Sequence, residues 1–178
     1  MIIAISGLHG TGKSTISKKL AEKLQLRYYS TGNAFREFAE KMNMTLEEFS
    51  EYVEQHPDID KDLDNKIVDI AKQGNVVAES QLSGYLLDKI AVYKILLKCP
   101  LELRVKRMSE RDGMNYEEKL KETRFRENSE LERFKILYNI DVSDEKRAKE
   151  VFDLIIETQN LTIDETVNKI IDLISISN

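Results

Sequence analysis

Ile2 to Ile5 is an apolar run rich in β-branched residues and too short for a helix, so it predicts a buried strand. The period then changes. Ile16, Leu20, Ala21 and Leu24 fall on one face at helical spacing, which predicts a helix beginning near Ser14. Arg27-Tyr28-Tyr29 predicts a short second strand, Thr31-Gly32-Asn33 a turn or cap, and Ala34 to Met42 a helix. Thr45-Leu46-Glu47-Glu48 has the form of a capping box opening a helix to about Gln55. Asp60 to Gln73 places Leu63, Ile67, Ile70 and Ala71 inward, with Gly74 as the stop. Asn75 to Glu79 is a buried strand ending on an acid. Val92 to Leu97 predicts a fourth strand, and Leu101 to about Arg111 a helix broken by Asp112-Gly113. Tyr116 to about Tyr138 predicts a long, highly charged helix. Val151 to Glu157 is the fifth strand, and Thr162-Ile163-Asp164-Glu165 caps a last helix.

Strands alternating with helices predict an α/β fold, a parallel sheet covered by helices on both faces. The helical stretches between strands two and three, and between four and five, are where a substrate module and a mobile lid would sit. The 178 residues contain no repeat, low-complexity tract or Pro/Gly/Ser-rich linker, so a single domain is expected. The net charge of −5 argues against a nucleic-acid or anionic-membrane partner and requires any anion site to use locally clustered arginines. Cys99 has no internal disulfide partner, and the N-terminal apolar run is too short for a signal peptide or membrane span. A cytoplasmic monomer is the expectation.

The densest chemistry lies between the first strand and the first helix. Gly7-Leu8-His9-Gly10-Thr11-Gly12-Lys13-Ser14, followed by Thr15, fits G-x-x-x-x-G-K-[ST]. Backbone N–H groups can surround a polyphosphate only where side chains are absent, and a helix N-terminus adds donors and partial positive charge. Lys13 would reach the β- and γ-phosphates of a triphosphate and the Ser14 hydroxyl would ligate Mg²⁺. Glu79, closing an apolar strand, is the candidate acid for that metal.

Arg104, Arg107 and Arg111 recur at i, i+3 and i+7, a pattern that could neutralise a phosphoryl group in flight or simply face solvent beside Glu102 and Glu110. Arg124, Arg126 and Arg133 are interleaved with Glu122, Glu127, Glu130 and Glu132, which by spacing alone reads as a surface helix laced with ion pairs. His9 and His56 have no metal-ligand or triad spacing. Asp58, Asp60, Asp62 and Asp64 lack the glycine and terminal glutamate of a calcium loop.

The motifs GLHGTGKST, STGNAFRE, NVVAESQLSGY, CPLELRVKRMSERDG, RFRENSELERF with YNID after it, and FDLIIET together resemble the nucleoside monophosphate kinases, most closely the archaeal type of cytidylate kinase. The resemblance spans essentially the whole chain. It implies a three-layer P-loop NTPase fold with a five-stranded parallel sheet. The core would comprise residues 1–30, 75–112 and 150–178, with a monophosphate-binding insertion at about 31–73 and a lid at about 113–138. It implies ATP and Mg²⁺, and transfer of phosphate to CMP and dCMP.

Carried over by position, Thr31 and Arg36 match the residues that hold the acceptor monophosphate. Arg107 and Arg111 match lid arginines, the first near the adenine and the second on the transferring phosphates. Arg126 and Arg133 match arginines that meet the acceptor phosphate, with Glu130 the acid that meets cytosine. Ser80-Gln81 departs from the family's usual glycine-arginine, so Gln81 stands as a neutral amide where a charge on the acceptor phosphate is usual. Asn33 stands where an aspartate is frequent. Two rivals are a kinase of the same fold with another acceptor, such as adenylate or uridylate kinase, and a phosphate-loop switch. The second calls for D-x-x-G and N-K-x-D motifs, which the chain lacks.

Overall fold

The computed structural model describes residues 1–176 of the chain. Five parallel strands form one sheet in the order β2-β3-β1-β4-β5: β1 (Ile2–Ser6), β2 (Arg27–Ser30), β3 (Val76–Glu79), β4 (Tyr93–Lys98) and β5 (Leu154–Glu157). β1 lies at the centre, and Ile3, Ala4 and Ile5 are fully buried because helices cover both of its faces. On one side Ile16, Leu20, Ile95, Leu97, Val167 and Ile170 pack with Ile3 and Ile5. On the other, Ile67, Ala71 and Leu87 pack with Ala4, Val76 and Ala78. The predicted α/β architecture is therefore the observed one, and no helix among the described residues is long and apolar enough to cross a membrane.

Helix α1 (Lys13–Leu24) follows β1. Helices α2 (Thr31–Lys41), α3 (Leu46–Gln55) and α4 (Pro57–Lys72) lie between β2 and β3, and α5 (Ser83–Leu86) follows β3. Helices α6 (Leu101–Asp112), α7 (Tyr116–Tyr138) and α8 (Glu145–Val151) separate β4 from β5, and α9 (Ile163–Ile176) is last. The Thr45–Glu48 capping box forms with both reciprocal hydrogen bonds.

Four local expectations are corrected. Thr31-Gly32-Asn33 is the first turn of α2, because the Ser30 hydroxyl accepts from the Asn33 N–H and caps the helix one turn early. Helix α4 starts at Pro57 because proline at the first helical position loses no hydrogen bond there. Val151 ends α8, so β5 begins only at Leu154. The short helices α5 and α8 had no periodic signal long enough to read.

Candidate active site

The loop between β1 and α1 has the backbone that its glycines permit. Gly7 and Gly10 sit at φ 151° and 76°. A Cβ on Gly7 would stand 2.5 Å from the Leu97 carbonyl oxygen, and one on Gly10 would stand 2.7 Å from that of Arg104. Gly12 caps α1 with no side-chain hydrogen bond, so the first N–H groups of that helix remain available to an anion. The Lys13 ammonium is folded back onto the Leu8 carbonyl oxygen at 2.9 Å. Burial lowers its pKa, against the pull of the nearby Glu79, Glu130 and Glu127 carboxylates.

β1 and β2 flank β3 in a register that sets Ile5 and Ser30 beside Glu79. One oxygen of Glu79, Oε1, accepts from the Ser14 hydroxyl at 2.7 Å, the Tyr28 hydroxyl at 2.9 Å and the Ser30 hydroxyl at 2.5 Å. Burial beside this carboxylate pushes the Tyr28 phenol up to about 12. Ser14 and Glu79 thus meet, as expected for two hard oxygen donors of one cation. Among the described residues no cluster of three or more His, Cys, Asp or Glu side chains forms a metal site.

A cavity of about 610 Å³ extends from this loop between α2, α4 and α7. Thr31, Arg36, Gln81, Arg126, Glu130 and Arg133 all line it, together with Arg111. Among the described residues the Arg36 guanidinium hydrogen-bonds only the neutral Asn33 side chain, at 2.5 Å. Its pKa is lowered by burial and, despite Glu79, by the positive charges of Arg111 and Arg126, so three guanidiniums share this end of the cavity. Thr31 Oγ1, Gln81 Oε1 and Arg126 Nε are buried without a hydrogen-bond partner among the described residues. Three orphaned polar atoms lining one cavity mark where a polar ligand belongs.

The structure separates the arginines that the spacing grouped. Arg104 is buried and forks onto Glu127 at 2.5 and 3.1 Å, while also donating to the His9 carbonyl oxygen at 2.8 Å. It braces the loop against α7 and does not line the cavity. Arg107 donates to the Thr158 carbonyl oxygen at 3.0 Å and lines a smaller cavity of about 360 Å³ beside Gly10, Gly12 and Thr15. Arg111 is tied to Asp112, whose carboxyl the arginine hydrogen bond holds at about 2.

His9, which was given no catalytic role, and Asp60, read as a solvated helix start, each pair with a buried charge of α7. His9 Nε2 lies 2.6 Å from Glu130 Oε2, and the Gln81 amide donates to the same oxygen at 2.6 Å. Burial alone would push the Glu130 carboxyl up, but His9, Arg126 and Gln81 together hold it at about 2. Arg133 donates to Asp60 at 2.7 Å inside the cavity wall, and burial raises the Asp60 pKa against that arginine's pull. Asp60 had read as a solvated helix start; a partner 73 positions away carries no local signal. Asp64, one turn further along α4, is raised by burial to about 6.

Comparison with known proteins supplies the family. Residues 3–135 match the family model described as an AAA domain. A cytidylate kinase of Methanocaldococcus jannaschii is 44% identical over 94% of both chains. A cytidylate kinase of Pyrobaculum islandicum is 40% identical over 98% of this chain and 92% of its own. Among solved structures, shikimate kinase from Acinetobacter baumannii superposes with a TM-score of 0.63 at 19% identity, covering 99% and 94% of the two chains. An uncharacterized protein from Eubacterium ventriosum reaches 0.69 at 18%, covering 98% of each. At such identities the likeness is one of fold. The chain belongs to the AAA-domain family and to the cytidylate kinases.

Proposed function

We propose that the protein transfers the γ-phosphoryl group of ATP to CMP, and more slowly to dCMP, giving ADP and the corresponding diphosphate. The carrying observation is the pairing of a complete phosphate loop with a second, arginine-lined cavity containing orphaned polar atoms. A phosphate loop alone serves any NTPase. The adjoining cavity supplies room for an acceptor.

The loop N–H groups hold the donor phosphates, and Lys13 leaves the Leu8 carbonyl to meet them. Arg107, at the smaller cavity, suits the adenine end. Thr31 and Arg36 hold the acceptor phosphate, with Arg111 and Arg126 neutralising charge on the group in transfer. An acceptor phosphate is ionised at neutral pH, so in-line attack needs no general base, and positioning dominates. Ser14 and the free oxygen of Glu79 would hold Mg²⁺, which when bound withdraws charge from the phosphates. The three hydroxyls on Glu79 Oε1 fix its carboxylate for that task. Residues 113–138 act as the cover that excludes water from the transfer.

The test is to supply Mg-ATP with CMP, dCMP, UMP, AMP or GMP separately and measure ADP. Turnover fastest with CMP is expected. Equal ADP formation without any acceptor would mean a simple NTPase, and preference for AMP or UMP would assign a different monophosphate kinase.

A further inference from the structure

We propose that the base of the acceptor nucleotide is read by the Asp60–Arg133 pair, and that Glu130 instead ties helix α7 to the phosphate loop. This rests on the function proposed above and names its specificity residues.

Helix α7 provides the ruler. Arg126 stands beside Arg36 and Arg111 at the phosphate end of the cavity. Arg133 lies seven residues further on, about 10 Å along the axis at 1.5 Å per residue, which is the reach of a nucleotide from phosphate to base. Glu130 lies between them on the helix, four residues from Arg126 and three from Arg133. Its Oε2 is already engaged by His9 of the loop and by Gln81, and Arg126 Nη2 lies 3.6 Å from its Oε1. Through His9 and Gln81 this carboxylate joins helix α7 to the phosphate loop and to the end of β3, which is a tethering role.

Asp60 and Arg133 differ in the groups they leave open. Arg133 Nε donates to Asp60 Oδ2 at 2.7 Å and its Nη1 donates to the Ser129 hydroxyl at 2.5 Å. Asp60 Oδ1 and Arg133 Nη2 have no hydrogen-bond partner among the described residues. The pair, whose two residues both line the cavity, therefore leaves one acceptor and one donor unengaged. Cytosine carries the complement on its Watson–Crick edge, an amino donor at C4 beside the ring-nitrogen acceptor. Uracil presents a carbonyl oxygen and an N–H in those places, which opposes both groups. Adenine carries the cytosine pattern on a larger frame, so this edge separates cytosine from uracil. The pair is charge-balanced, as suits a neutral base, and Phe35, Leu63 and Phe134 supply apolar wall for its faces.

The experiment compares kcat/KM for CMP and UMP in the intact protein, Asp60→Asn and Glu130→Gln, with circular dichroism melts as the fold control. Asp60→Asn should narrow the CMP-to-UMP ratio roughly tenfold to a hundredfold, the scale of one lost base contact. Glu130→Gln should change both rates together and leave the ratio where it was. An unchanged ratio in Asp60→Asn overturns the proposal, and a narrowed ratio in Glu130→Gln returns base reading to Glu130. If Asp60→Asn does not fold, Arg133→Lys takes its place, because it keeps the charge facing Asp60 but lacks the forked donors. It too should narrow the ratio, and an unchanged ratio there overturns the assignment. Failure of the parent reading is separately visible, since the unmodified protein would then show no preference for CMP over UMP.

Discussion

The sheet and helix α7 are held by opposite means. β1 is flanked on both faces by aliphatic side chains, and Ile3, Ile5, Ile95 and Val77 lose all contact with water. α7 is highly charged, and six of its residues are buried, four of them charged: Lys119, Glu127, Glu130 and Arg133. Each charge meets a partner. Lys119 faces Asp112 and Glu122, Glu127 faces Arg104, Glu130 faces His9, and Arg133 faces Asp60. Apolar burial is non-directional and sets a stable frame. Paired charges are strong only in one geometry, so they suit an element that must dock in a single register and can be released when its partners change. The phosphate loop sits where the two regimes meet, its strand in the sheet and His9 against α7.

The difference is open to direct attack. Lys13→Ala should lower turnover on the order of 10³-fold while leaving both regions standing, because among the described residues the ammonium hydrogen-bonds only a loop carbonyl. Steady-state rates beside a circular dichroism melt check both halves. Arg104→Met should cost about 3–5 kcal/mol, since it leaves Glu127 buried without its counter-charge. Adding Glu127→Leu should recover most of that in urea unfolding. A single variant as stable as the parent would mean that this pair does not dock α7.

Acid should act on α7 before the sheet. The folded-state pKa of Glu130 is depressed to about 2, so its stabilisation is complete above the ordinary glutamate value near 4.5. It fades as pH falls from there toward 2, at a cost of about 3 kcal/mol. Asp112, also held at about 2, loses its grip on Lys119 in the same range. Asp64 has the opposite sign: its pKa is raised to about 6, so it favours the fold more as pH drops through that value. Hydrogen exchange at pH 3 should show α7 amides unprotected while β1 and β4 stay protected, and simultaneous loss would deny the contrast. The smallest effect is expected for Ile95→Val, about 0.5–1.5 kcal/mol, detectable in urea and unchanged by pH or salt.

Much of this was legible along the chain. The apolar strands, the loop and the Thr45 capping box each declare themselves within a few residues, because backbone geometry and hydrogen bonding there are local. Thr31, Arg36, Arg111 and Arg126, singled out in the sequence, line one cavity. Illegible were the roles of look-alike charges. Arg104 and Arg111 share a helix stripe, yet one is buried against α7 and the other pairs with its neighbour near solvent. His9 fills a variable position of the loop motif, and its partner is 121 positions away.

By itself, then, the sequence determined the parallel sheet, the phosphate loop and the family, since period, glycine placement and motif order are written in consecutive residues. Tertiary structure alone decided which charges are buried and with whom. It paired Arg104 with Glu127, Arg133 with Asp60, and set Gln81 and His9 on Glu130. The physical reason is that a charge is placed by the energy of finding its counter-charge out of water, and that partner lies anywhere in the chain.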